Sequence, residues 1–123
     1  TGLTPGQHPF GFVRGSLPAS VLRAGELGQH LAGRIVDIAG VVTHRQRPHT
    51  GGGITFLSLE DETGFVNVSV SVGAWKKFRR VCLESNALLV RGTLEWGDGA
   101  MNVQAFRIAP VDLPINVRSR DFR

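Results

Sequence analysis

The sequence contains no tyrosine and a single cysteine, Cys82, among its 123 residues. One cysteine cannot make an internal disulfide, and a zinc site built on several thiolates is excluded. A reducing, cytoplasmic setting is therefore expected. With no tyrosine, ring stacking falls to Phe, Trp and His. No apolar run approaches the roughly 20 residues that cross a bilayer, and no signal peptide opens the chain. The glycine run in residues 48–53 (PHTGGG) lacks the Gly-Lys-Ser/Thr ending and the following helix of a phosphate-binding P-loop. His44 and His49 have no third ligand beside them. Glu60, Asp61 and Glu62 match no calcium loop and are expected to form an acidic strand-to-strand turn. No nucleophile elbow is present. The expectation is a chain with no catalytic residues, no metal site and no cofactor of its own. It begins at Thr1 rather than Met, which suggests a piece of a longer protein.

What is present is a pattern of short strands. Residues 54–71 read ITFLSLEDETGFVNVSVS. Val66, Val68 and Val70 alternate with Asn67, Ser69 and Ser71, so one face is apolar and the other carries small polar groups. Before this hairpin, residues 34–47 (RIVDIAGVVTHRQR) form a long β-prone run with Gly40 inside it. A glycine there marks a bulge or a barrel corner. Residues 74–82 (AWKKFRRVC) set Trp75, Phe78 and Cys82 on one face of a short helix, with Lys76, Lys77, Arg79 and Arg80 around the rest. Residues 87–96 and 100–108 read as two more strands joined by Gly97-Asp98-Gly99. Ahead of the first strand, residues 18–31 are expected to hold a short helix, with Val21, Leu22 and Leu27 facing inward.

Three strands, a helix and two strands is the order of an OB-fold. The expected class is all-β: a five-stranded barrel with one short helix between its third and fourth strands. Residues 1–32 form an extended or helical lead-in, 33–109 the barrel and 110–123 a C-terminal tail. OB folds bind oligonucleotides on the face of their second and third strands and through the loops after strands one and four. That places Arg45, Arg47 and His49 in the first loop, and Phe56, Phe65 and Asn67 on the outward face. Arg91 extends the basic track along the fourth strand. These seven are the candidate nucleic-acid contacts, with His44 as a further stacking group. Lys76, Lys77 and Arg80 are candidates for protein docking. The net charge of +4, from 14 basic and 10 acidic side chains, is compatible with a nucleic-acid partner without requiring one.

Residues 36–42 (VDIAGVV), 45–48 (RQRP), 53–64 (GITFLSLEDETG), Asn67-Val68, Arg80-Val81 and Val90-Arg91-Gly92 carry a resemblance. Together they resemble the C-terminal OB domain of bacterial error-prone C-family DNA polymerases, the ImuC-type relatives of the polymerase III alpha subunit. Residues 7–9 (QHP) look like the link into that domain, and 119–123 (SRDFR) like the family's terminus. The resemblance implies a parent DNA-directed DNA polymerase active in translesion synthesis during the SOS response, with ImuA- and ImuB-type partners. Its magnesium ions belong to a polymerase domain absent from this chain. For the chain it implies single-stranded DNA binding, carried onto Arg45, Arg47 and the loop to Gly53. Two alternatives stay open. One is a docking module for the accessory proteins. The other, disfavoured by the RQRP loop, is an anticodon-binding OB domain of a class II aminoacyl-tRNA synthetase. A monomer is expected.

Overall fold

The computed structural model describes residues 14–47, 52–97 and 99–112. Among these residues six strands and one α-helix follow in order: β1 (Val21–Leu22), β2 (Ile35–Gln46), β3 (Thr55–Asp61), β4 (Gly64–Val70), α1 (Val72–Glu84), β5 (Ala87–Gly97) and β6 (Ala100–Pro110). The strands pair in the order β1-β2-β3-β4-β6-β5, and β5 returns to β2 to close a five-stranded barrel. The β4–β6 contact is parallel and the other barrel contacts are antiparallel. This is the expected OB-fold, with its helix between the third and fourth barrel strands. No helix among the described residues is long and apolar enough to cross a membrane.

Alternation within the strands fills the barrel. Ile38, Leu57, Leu59, Val68, Val70, Leu88, Val90, Leu94 and Val103 are all essentially inaccessible. Trp75 and Cys82 of α1 plug the barrel from one side, as their spacing predicts, and burial pushes the Cys82 thiol up. Ser71 caps the helix, its Oγ accepting from the Ala74 amide at 3.2 Å.

Gly40 is the barrel corner. Around it β2 pairs with β5 up to Val41 and with β3 from Val41 onward. A Cβ at Gly40 would sit 2.9 Å from the Glu60 carbonyl oxygen. Gly92 plays the same part at the β5–β6 bulge, where a Cβ would collide with the Gln104 carbonyl oxygen and lie 2.8 Å from Val103 Cγ1.

The lead-in departs from expectation. Residues 18–31 form no α-helix: β1 adds a parallel pair beside β2, and short 3-10 turns follow at Ala24–Glu26 and Gln29–Leu31. Gly25 and Gly28 interrupt any longer helix, and burying Val21 and Leu27 against the barrel outweighs helical propensity. The acidic β3–β4 turn anchors this segment. Asp61 is buried; its Oδ1 accepts from the Thr63 and Gly64 amides, and its Oδ2 accepts from the Ala24 amide at 2.7 Å and from Arg14 Nη2 at 3.3 Å. Glu62 takes two hydrogen bonds from Arg14, at 2.8 and 2.9 Å, and one from Arg23 at 3.2 Å. Residues 1–13 of the lead-in lie outside the described residues, as does the tail from 113.

Two measurements test this frame. Gly92→Ala is expected to cost about 1–3 kcal/mol of unfolding free energy in urea, because the backbone it meets cannot rotate away. The Arg14 hydrogen bonds hold the Glu62 carboxyl at about 2, against an ordinary value of 4.5. Its stabilisation is therefore complete above that ordinary value and is lost as pH falls through the folded one. Glu62→Gln should cost on the order of 2 kcal/mol at neutral pH, after allowance for partial exposure, and progressively less toward pH ~2. A pH-independent difference would exclude the charge as its source.

Candidate nucleic-acid interface

The outer face of β2, β3 and β4 meets the β5–β6 hairpin in a groove. Strand parity builds it. Ser58 pairs with Asn67 and Phe56 with Ser69 across β3 and β4, so their side chains share the outward face. On the next strand His44 pairs with Ser58 and Gln46 with Phe56. Two adjoining concavities result. One, of about 230 Å³, is lined by His44, Gln46, Phe56, Leu57, Ser58 and Asn67. The other, of about 410 Å³, is lined among others by Phe56, Asn67, Glu95, Trp96, Met101 and Asn102. Phe56 and Asn67 belong to both and make the groove continuous.

The groove combines two aromatic surfaces with amides. Phe56 is 38% exposed and Trp96 39%. Asn102 is held in place, its Nδ2 donating to Ser69 Oγ at 2.9 Å and to Glu95 at 3.3 Å. Rings for stacking and amides for donor and acceptor contacts suit unpaired bases. Among the described residues, no lysine or arginine lines either concavity.

The expected contacts fall in different places. Phe56 and Asn67 are in the groove. Phe65 stands at its edge, 60% exposed and opposite Glu60 on β3. His49 lies outside the described residues. Arg45 and Arg47 point to the other side of β2. Arg45 Nε donates to the Cys82 carbonyl at 2.9 Å and Nη2 to the Ser85 carbonyl at 3.1 Å, at the C-terminal end of α1. The Arg47 guanidinium sits over Trp75, 5.7 Å from the ring centroid. The cause is a bulge between Val42 and His44, which shifts the register by one residue and exchanges the two faces of the strand beyond it. Arg91 is paired bidentately with Asp37, at 2.7 and 3.0 Å, away from the groove, and this pairing lowers the Asp37 carboxyl. Lys76, Lys77 and Arg80 are exposed on α1, with Lys77 over the Phe78 ring and Arg80 3.7 Å from Glu84.

Trp96, Gln46 and Asn102 were not among the residues expected from sequence. Trp96 was the most accessible of the three to inference, since it immediately precedes the Gly-Asp-Gly hairpin that forms the second binding loop of such barrels.

Comparison with known proteins places the fold and its setting. Residues 36–111 match the family model described as an OB-fold nucleic acid binding domain. The whole chain is 50% identical over 125 residues to an error-prone DNA polymerase of Cutibacterium acnes, and 47% identical over 124 residues to that of Mycobacterium tuberculosis. It spans about 11% of the length of each of these relatives. Among solved structures, asparaginyl-tRNA synthetase from Pyrococcus horikoshii aligns with a TM-score of 0.64 at 21% identity, over 76% of this chain and 23% of the synthetase. An OBody bound to hen egg-white lysozyme aligns at 0.61 and 20% identity, over 77% of this chain and 96% of its own. At such identities these two likenesses speak for the fold.

The placement of Arg45 makes a prediction about stability. A guanidinium satisfying helix C-terminal carbonyls and opposing the negative end of the helix dipole contributes about 1 kcal/mol. Arg45→Met should lower the urea midpoint accordingly without changing the slope. An unchanged midpoint would show that the contact is not formed in solution.

Proposed function

The chain belongs to the OB-fold nucleic acid binding family, in the form carried by error-prone DNA polymerases, and from that premise we propose that it is the C-terminal module of such a polymerase that binds single-stranded template. It performs no chemical step. It holds unpaired bases while the polymerase carboxylates and magnesium act elsewhere in the longer protein. The parent activity is translesion synthesis in the SOS response.

The observation that carries this reading is the continuous groove in which Phe56 and Trp96 stand among Gln46, Ser58, Asn67 and Asn102. Aromatic faces accept any base, which suits a strand of arbitrary and damaged sequence. Amides that are only partly engaged add contacts to base edges. His44, in the groove wall near the end of β2, stands beside the route by which a strand would enter.

A second reading has its own support. The outward side of α1 sets Lys76, Arg79 and Arg80 beside Leu83, which is 53% exposed. Cations around an exposed apolar side chain suit an acidic protein segment, and ImuA- or ImuB-type accessory proteins are the partners this reading would assign.

Fluorescence anisotropy of labelled poly-dT separates the two. Micromolar binding that Phe56→Ala and Trp96→Ala each weaken by about 1–3 kcal/mol is expected for the groove. Absence of binding to the unaltered chain even at low salt would reject it and leave docking through α1.

A further inference from the structure

A second cleft lies on the barrel beyond the groove, and we infer that it is a phosphate-binding subsite centred on Arg107 and Arg91. This inference rests on the proposed single-strand binding and extends the path of the strand. The cleft is about 300 Å³ in volume, and its lining includes Val21, Asp37, Leu89, Arg91, Arg107 and Ala109. It is formed where β1 and the lead-in rise against β2, β5 and β6.

Its charge is what the groove lacks. Arg91 and Arg107 are directly opposite one another on β5 and β6. Asp37 neutralises only one of them: it accepts both hydrogen bonds from Arg91 and fixes that guanidinium against β2. Arg107 has no hydrogen bond or ion pair to any described residue, and its side is open to solvent. One carboxylate against two guanidinia leaves a net positive charge in a concavity, with Arg91 immobilised and Arg107 available as a planar donor. That arrangement suits an oxyanion bound bidentately.

Position argues for the phosphate of a strand that already occupies the groove. Glu95 lines the groove and Arg91 the cleft, on one outward face of β5 and four residues apart. Four residues of strand span about 13 Å, at roughly 3.3 Å per residue. Phe106, 47% exposed, precedes Arg107 on β6 at the register shift. The bulge is thus flanked by an exposed ring and a free guanidinium. A single strand leaving the groove across β6 would meet the ring and then the guanidinium. Apart from Ser20 and the three charged groups, the described residues of the cleft wall are aliphatic, with no aromatic ring among them, so the cleft itself takes the backbone and not a base.

The test titrates the full chain with labelled poly-dT of two lengths, about four and about twelve nucleotides, at several salt concentrations. The short oligonucleotide fits the groove alone; the long one reaches the cleft. Arg107→Glu is expected to weaken the long oligonucleotide about tenfold, to reduce its salt slope by about 0.7, and to leave the short one unchanged. Arg107→Gln should act in the same direction to a smaller degree. Unchanged affinity and slope for the long oligonucleotide would overturn the inference. So would equal weakening at both lengths, which is the mark of general charge. Phe56→Ala separates the two ideas. If it affects neither length while Arg107→Glu weakens the long one, the groove reading fails and the cleft stands. Displacement of the long oligonucleotide from the cleft by poly-glutamate at lower concentration would assign the cleft to an acidic protein segment instead.

Discussion

Closure of the barrel depends on one strand pairing along both edges. β2 meets β5 from Ile35 to Val41 and β3 from Val41 to Gln46, so near its middle it must bend sharply enough to leave one neighbour and take up the other. The bend brings the backbone of β3 against the backbone of β2 at Gly40, where only a hydrogen atom fits. Every other feature follows from that closure. The inward side chains form one sealed core, α1 plugs an opening, and the outward faces of β3, β4 and β6 become a continuous curved surface. The glycine at 40 is therefore a packing requirement. Its φ is ordinary and its lack of a side chain is what matters.

The same strand shows how much of the site can be read from residues alone. Alternation in β3 and β4 assigns Phe56, Ser58, Asn67 and Ser69 to the outward face, and the structure agrees, because that hairpin runs without a bulge from Thr55 to Val70. Alternation in β5 assigns Leu88, Val90 and Leu94 to the interior equally well, whereas in β6 the register shift at Phe106 changes parity, so that Ile108 is buried along with Val103 and Ala105. In β2 the counting breaks at Thr43. The extra residue leaves no trace in the hydrophobic pattern, since the stretch after Val42 is uniformly polar and either parity looks acceptable. One inserted residue therefore gives His44 and Gln46 to the groove, and turns Arg45 and Arg47 toward α1. The lead-in was unreadable for a different reason. In residues 18–31 two glycines and scattered apolar residues have no period, and the conformation is set by contacts with Asp61 and Glu62, some forty residues distant.

Those acidic residues also change what the overall charge means. A surplus of positive charge in the sequence invites a basic surface, yet several arginines already have partners. Arg14 and Arg23 serve Asp61 and Glu62, Arg45 serves the carbonyls of α1, and Arg91 serves Asp37. Each of these pairings is structural: it fixes the lead-in, the helix or the outer edge of the sheet. Counting cations thus overstates the charge available to an anionic ligand, and the location of the remainder matters more than the total.

A nearly uncharged groove has consequences for how a strand would be held. Phosphate contacts set affinity and register and make binding steeply salt-dependent, whereas stacking is tolerant of both sequence and salt. A groove that relied on lysine and arginine would grip the backbone at many points and would slow the movement of template past an advancing polymerase. On the proposed reading, stacking on Phe56 and Trp96 with one cationic point at the cleft would let each base leave its ring and be replaced by the next while the backbone stayed held at a single position. A damaged base still presents a face to a ring, even when its pairing edge is altered. The separation of aromatic groove from charged cleft therefore suits a module that must follow a moving and chemically irregular strand better than one that must hold a fixed sequence.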